Sequence, residues 1–187
     1  PLRRQRQMCI RDSHWNHIVT MILQFGTREA VFHIASGGTL TISGQNANTI
    51  MIGTGGTTKT GPGTLTLGSD SSAGGTFTQG GMTGALNLNE GLYEVFCTTS
   101  NGLAFNNVGI KFNGGNLKIN ADGKGINFNK TSPNTPIIVN TDGMFTLDNR
   151  STASAFAGVT HTFGTLTVNN SPNLLLYTSD AADEEDS

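Results

Sequence analysis

The residues with the strongest claim to chemistry are Asp122, Lys124, Asp142, Asp148 and Arg150, acids and bases in a chain where only 13% of residues are charged. Placed on adjacent strands, such groups could protonate a leaving oxygen and activate water, the work of polysaccharide cleavage. Their immediate contexts argue against it. Asp122-Gly and Asp142-Gly are ordinary turn dipeptides, and Asp148-Asn-Arg150 reads as a strand-ending loop. No catalytic residue is assigned, and the segment is not expected to be an enzyme.

Other constellations fare similarly. Gly53-Thr-Gly-Gly-Thr-Thr-Lys-Thr60 suggests a phosphate loop, but that loop needs Gly directly before Lys and a helix directly after. Here Thr58 precedes Lys59 and Gly61-Pro-Gly63 follows, which predicts a β-turn. His14 and His17 are spaced to share a metal on a helix, yet no third ligand is near; His33 and His161 stand singly in strand-like runs. Calcium-binding nonapeptides and D-x-D-x-D-G loops are absent from the sequence. No metal and no cofactor are expected.

The elements that would position these residues are short strands. Thr39-Leu-Thr-Ile-Ser43, Thr49-Ile-Met-Ile52, Thr64-Leu-Thr-Leu67, Ala85-Leu-Asn-Leu-Asn89, Gly109-Ile-Lys-Phe-Asn113, Asn116-Leu-Lys-Ile-Asn120, Gly125-Ile-Asn-Phe-Asn129 and Thr165-Leu-Thr-Val-Asn169 alternate polar and apolar residues. A period of two puts every apolar side chain on one face. Between them lie Ser36-Gly-Gly38, Gly53-Thr-Gly-Gly56, Gly61-Pro-Gly63, Asn113-Gly-Gly115 and Asp122-Gly-Lys-Gly125, which accept positive φ or pre-set a turn. The chain is all-β. Outward positions of Thr, Asn and Lys suggest stacked parallel rungs more than the charged outer face of a sandwich, which is the alternative fold. At about 20 residues per coil, residues 14–173 would make roughly eight rungs and a rod on the order of 40 Å long.

At Thr58-Lys-Thr-Gly-Pro-Gly-Thr-Leu-Thr-Leu67, Gly74-Gly-Thr-Phe-Thr78 and Gly84-Ala-Leu-Asn-Leu88 the chain resembles the autotransporter-associated β-strand repeat, of form K-x-G-x-G-T-L-T-L, a polar loop, G-G-T-x-x and G-x-L-x-L. Lys59, Gly61, Gly63, Leu65, Leu67, Gly74, Gly75, Thr76, Leu86 and Leu88 match, while Asp70-Ser-Ser72 stands where the family usually has N-T-Y. Weaker echoes occur at Gly37-Gly-Thr-Leu-Thr-Ile42 and Phe163-Gly-Thr-Leu-Thr-Val168. The resemblance implies a right-handed parallel β-helix passenger of a bacterial surface or secreted protein, with no catalytic residues. The sequons ending at Thr131, Ser151 and Ser171 then carry no weight.

The two ends resemble something else. Arg3 to Ser13 and Leu175 to Glu184 are similar to translations of one transposase sequencing adapter read in its two orientations. Residues 1–13 and 174–187 are accordingly expected to be non-native, and residues 14–173 to be a solenoid segment truncated at both ends. That segment holds seven residues of each charge sign, so no basic field draws it to nucleic acid or anionic lipid. Cys97 is its single cysteine, which rules out an internal disulfide. No run approaches the roughly 18 apolar residues of a membrane helix. The expectation is a structural or adhesive stalk at the bacterial surface or outside the cell, touching glycans or neighbouring cells and self-associating through exposed solenoid ends. A polysaccharide-active β-helix enzyme and a β-sandwich glycan-binding module are the alternatives. The enzyme would need aromatic platforms, and Trp15 and Tyr93 are the only Trp and Tyr of the segment.

Overall fold

The computed structural model describes residues 15–17, 21–44, 49–68, 77–82, 84–97, 109–121, 136–149, 164–169 and 173–178, and no helix occurs among them. The chain begins with β1 (Trp15–His17), β2 (Met21–Gly26) and β3 (Ala30–His33), then β4 (Thr39–Gly44), β5 (Thr49–Gly53) and β6 (Thr57–Thr60). It continues through β7 (Thr64–Leu67), β8 (Phe77–Met82) and β9 (Leu86–Leu88), then the pairs β10 (Leu92–Cys97) and β11 (Ile110–Asn113), and β12 (Asn116–Ala121) and β13 (Ile137–Thr141). Last come β14 (Gly143–Asn149), β15 (Leu166–Val168) and β16 (Leu174–Thr178).

These strands sort into three sheets: β1-β4-β7-β10-β12-β14-β16, β15-β13-β11-β9-β6-β3 and β2-β5-β8. Every pairing among the described strands is parallel. An antiparallel β-sandwich is therefore not what these strands form. Parallel neighbours cannot be joined by hairpins, so the chain must travel away and return in the same direction.

It returns to the seven-stranded sheet at intervals running from 24 residues, Leu92 to Asn116, up to 31, Gly143 to Leu174. The coils are longer, and hence fewer, than the 20-residue estimate. The reason is geometric: β2, β5 and β8 add a third face to the first three circuits, and corners add further residues. Period-two patterning marks a strand but carries no information on how many strands complete a circuit.

The burial pattern follows the alternation. Thr64-Leu-Thr-Leu67 alternates half-buried and buried, and Ile110-Lys-Phe-Asn113 is the reverse. In register, Leu40, Leu65, Tyr93, Leu117 and Phe145 form one inward column, and Ile42, Leu67, Val95, Ile119 and Leu147 the next. All ten are buried. The six-stranded sheet answers with Leu86, Ile110 and Ile137 in one column and Leu88, Phe112 and Val139 in another. Phe112 and Phe145 meet across the core with ring centroids 6.1 Å apart. Burial of each such side chain contributes roughly 1.5 to 3 kcal/mol, and successive rungs repeat the contribution. Leu174–Thr178, at the start of the stretch 174–187 expected to be non-native, pairs with Gly143–Leu147, and Leu175 and Leu176 remain exposed.

Corners are tight where the chain enters β7 and β10. Gly63 and Gly91 precede Thr64 and Leu92, which are register partners, and Leu92 N–H donates to Gly63 O. Gly91 has φ of +70°, and a Cβ there would lie 2.5 Å from Gly61 O and closer still to Gly63 O. Only glycine fits that approach.

Candidate functional site

Two polar assemblies are built on this frame. The first lies on the outer face of the seven-stranded sheet, where Thr66, Glu94 and Lys118 share a register position across β7, β10 and β12. Thr66 Oγ1 donates to Glu94 Oε2 at 3.3 Å, and Asn120 Nδ2 donates to Glu94 Oε1 at 3.0 Å. The Lys118 ammonium stands 3.7 Å from Glu94 Oε1 and 3.0 Å from Asp148 Oδ2. One cation thus holds both carboxylates, which are partly shielded from water, and neither acid stands apart from a counter-charge. This arrangement presents fixed donors and acceptors on the outer face.

The second assembly runs along the corner where the six-stranded sheet ends. Asn113 Nδ2 donates to Asn89 Oδ1 at 2.9 Å, Asn140 Nδ2 to Asn113 Oδ1 at 2.7 Å, and Asn169 Nδ2 to Asn140 Oδ1 at 2.8 Å. These four amides form a ladder along the stacking axis. An amide has two N–H groups and two carbonyl lone pairs, so each ladder asparagine keeps at least one donor and one acceptor beyond the ladder itself.

Below the ladder lies Lys59, fully buried in the inward column between Phe32 and Leu88. Its Nζ donates to Thr60 O at 3.1 Å, Gly61 O at 2.6 Å and Glu90 O at 3.1 Å. All three ammonium N–H groups are therefore used. Burial pushes the amine down from 10.5 to about 8, partly opposed by the nearby charge of Glu90. Beside it, on the outer face, Thr58 Oγ1 donates to Glu29 Oε1, and Asn87 Nδ2 donates to Thr58 Oγ1 at 3.1 Å.

Of the residues singled out from the sequence, Asp148 joins the Lys118 assembly, whereas Asp142 accepts from Asn173 N–H at 2.7 Å in an exposed corner. Six residues of extended chain separate them, roughly 20 Å, too far for a shared acid–base task. Asp122, Lys124, Arg150, His14 and His161 lie outside the described residues, as do the side chains of His17 and Cys97. His33 is exposed on β3. The stretch that superficially suggested a phosphate loop ends in β6, a strand, with Lys59 turned into the core. Among the described residues no group of three or more His, Cys, Asp or Glu could hold a metal.

Sequence reasoning missed Glu94, Lys118 and the burial of Lys59. A signal for the first two existed: Glu94 sits between Tyr93 and Val95, and Lys118 between Leu117 and Ile119, so each is an outward residue flanked by inward ones. For the asparagine ladder the signal was repetition, since Asn89, Asn113 and Asn169 each close an alternating run.

Comparison with protein-family models, with curated proteins and with solved structures yields no match. What stands on the structure alone is the class: an all-β chain of stacked parallel strands.

Proposed function

We propose that this chain is an internal stretch of a right-handed parallel β-helix, serving as a structural and adhesive stalk of a bacterial cell-surface or secreted autotransporter-like protein, with no catalysis of its own. The observation that carries this reading is the ladder from Asn89 to Asn169: uncharged amides repeated along the stacking axis, each with hydrogen-bonding capacity to spare. At a spacing of about 4.8 Å per rung, such a row favours many weak contacts to hydroxyl-rich polymers such as glycans. Individually these are feeble. Summed over many copies they hold, because linked sites raise effective concentration.

The resemblance of residues 58–88 to the autotransporter-associated repeat supports the same assignment. The paired state of Glu94 and Asp148 speaks against cleavage chemistry at the outer face. A direct test displays the chain at high density on beads over immobilised glycans and compares it with the free monomer. Density-dependent retention is the expected result; equal, negligible retention of both forms would remove the adhesive role. Turnover of uronate polysaccharides that disappears in Asp148→Asn would remove the non-catalytic one.

A further inference from the structure

The ladder position can be followed one rung at a time. Asn169, Asn140, Asn113 and Asn89 occupy it in turn, and the next two places, beside the Lys59–Leu88 and Phe32–Lys59 pairs, belong to Thr60 and His33. The amide ladder therefore stops at Asn89. At the same corner the inward column changes character: Leu88, Phe112 and Val139 are apolar in the rungs that carry the ladder, and Lys59 stands where it ends. The Lys59 ammonium bonds two carbonyls of its own corner, Thr60 O and Gly61 O, and one of the following corner, Glu90 O. It joins the same two circuits that one more asparagine step would join.

We propose that Lys59 is a corner fastener equivalent to a ladder asparagine, taking over from the amides at the rung where they stop. Fastening is then continuous from Thr60 to Asn169, by an ammonium inside the corner at one step and by amides outside it at the next three. The two devices differ in one respect. An asparagine has no titration to undergo, whereas a neutral lysine amine has only two N–H groups for three carbonyls. The charged and titratable groups around Lys59 are few. Glu90 lies in the following corner, His33 on β3 stands in register with Thr60, and Tyr93 is the titratable inward residue of β10. β9 contributes none, and Glu29 is engaged with Thr58 on the outer face.

The experiment is amide hydrogen exchange on the full chain at the corner, read at Asn89 N–H, which donates to Lys59 O, and at Leu92 N–H, which donates to Gly63 O. Lys59→Met should lower protection at both by about tenfold or more, the equivalent of one lost charge-assisted hydrogen bond. Thr60→Asn places an amide one rung before Asn89, and in combination with Lys59→Met it should restore protection to within about threefold of the parent. Lys59→Met with unchanged protection, or a double variant no better than the single one, would overturn the proposal. If Lys59→Met does not fold, Lys59→Gln takes its place in the same comparison: lowered protection that Thr60→Asn restores supports the proposal, and unchanged protection or no rescue overturns it.

Discussion

Raising the pH should stabilise this protein globally over a window where most proteins gain nothing, and Lys59 is the reason. Its folded-state amine titrates near 8, against 10.5 for an unburied lysine, because burial disfavours the charge. Between those values the unfolded chain still binds a proton that the folded chain has released. Stability then rises with pH, is complete near 10.5, and is absent below about 8. A gap of roughly 2.5 units at 1.36 kcal/mol each bounds the gain at about 3 kcal/mol. Urea unfolding midpoints measured from pH 7 to 10.5 for the parent and for Lys59→Met isolate the effect, since the other lysines titrate alike in both. The difference between the two curves should grow with pH by up to that amount. Parallel curves, or a parent that weakens relative to Lys59→Met, would refute the assignment of a depressed, buried amine.

Three further outcomes follow from the packing. Leu67→Asp places a charge in a fully buried column and should cost more than about 4 kcal/mol or prevent folding, as measured by circular dichroism and urea titration; a neutral effect would mean that Leu67 faces water. Gly91→Ala meets both positive φ and the carbonyls of Gly61 and Gly63, and should lose at least about 2 kcal/mol in the same titration, with an unchanged midpoint arguing against the tight corner. Asn113→Ala removes a donor to Asn89 and an acceptor from Asn140, so about 1 to 3 kcal/mol should be lost, and a cost equal to that of an exposed control asparagine would show that the ladder contributes nothing.

Much of the strand inventory was legible from alternation. Thr64-Leu-Thr-Leu67, Asn116-Leu-Lys-Ile-Asn120 and Gly109-Ile-Lys-Phe-Asn113 each contain the strand that their pattern predicts, with the apolar residues inward. Lys59 defeats the same logic. In Thr57-Thr-Lys-Thr60 the pattern has no apolar residue at all, yet Thr57 and Lys59 take the inward places because Ala30, Phe32, Leu86 and Leu88 on the adjoining strands already do. Glu94 and Lys118 lie 24 residues apart and come together because β10 and β12 pair at that offset.

Local chemistry, then, was determined by the sequence alone: which alternating runs extend, which face their apolar side chains take, where glycine must turn the chain, and that charge is sparse. Tertiary structure decided the rest, namely the length of each circuit, the parallel direction of every described pairing, and which polar groups share a rung. The division has a physical cause. Alternation and turn propensity act over two to five residues, whereas register between strands is set by columns of side chains contributed 24 to 31 residues apart, and the loop-closure entropy that separates one circuit length from another changes only slowly with length.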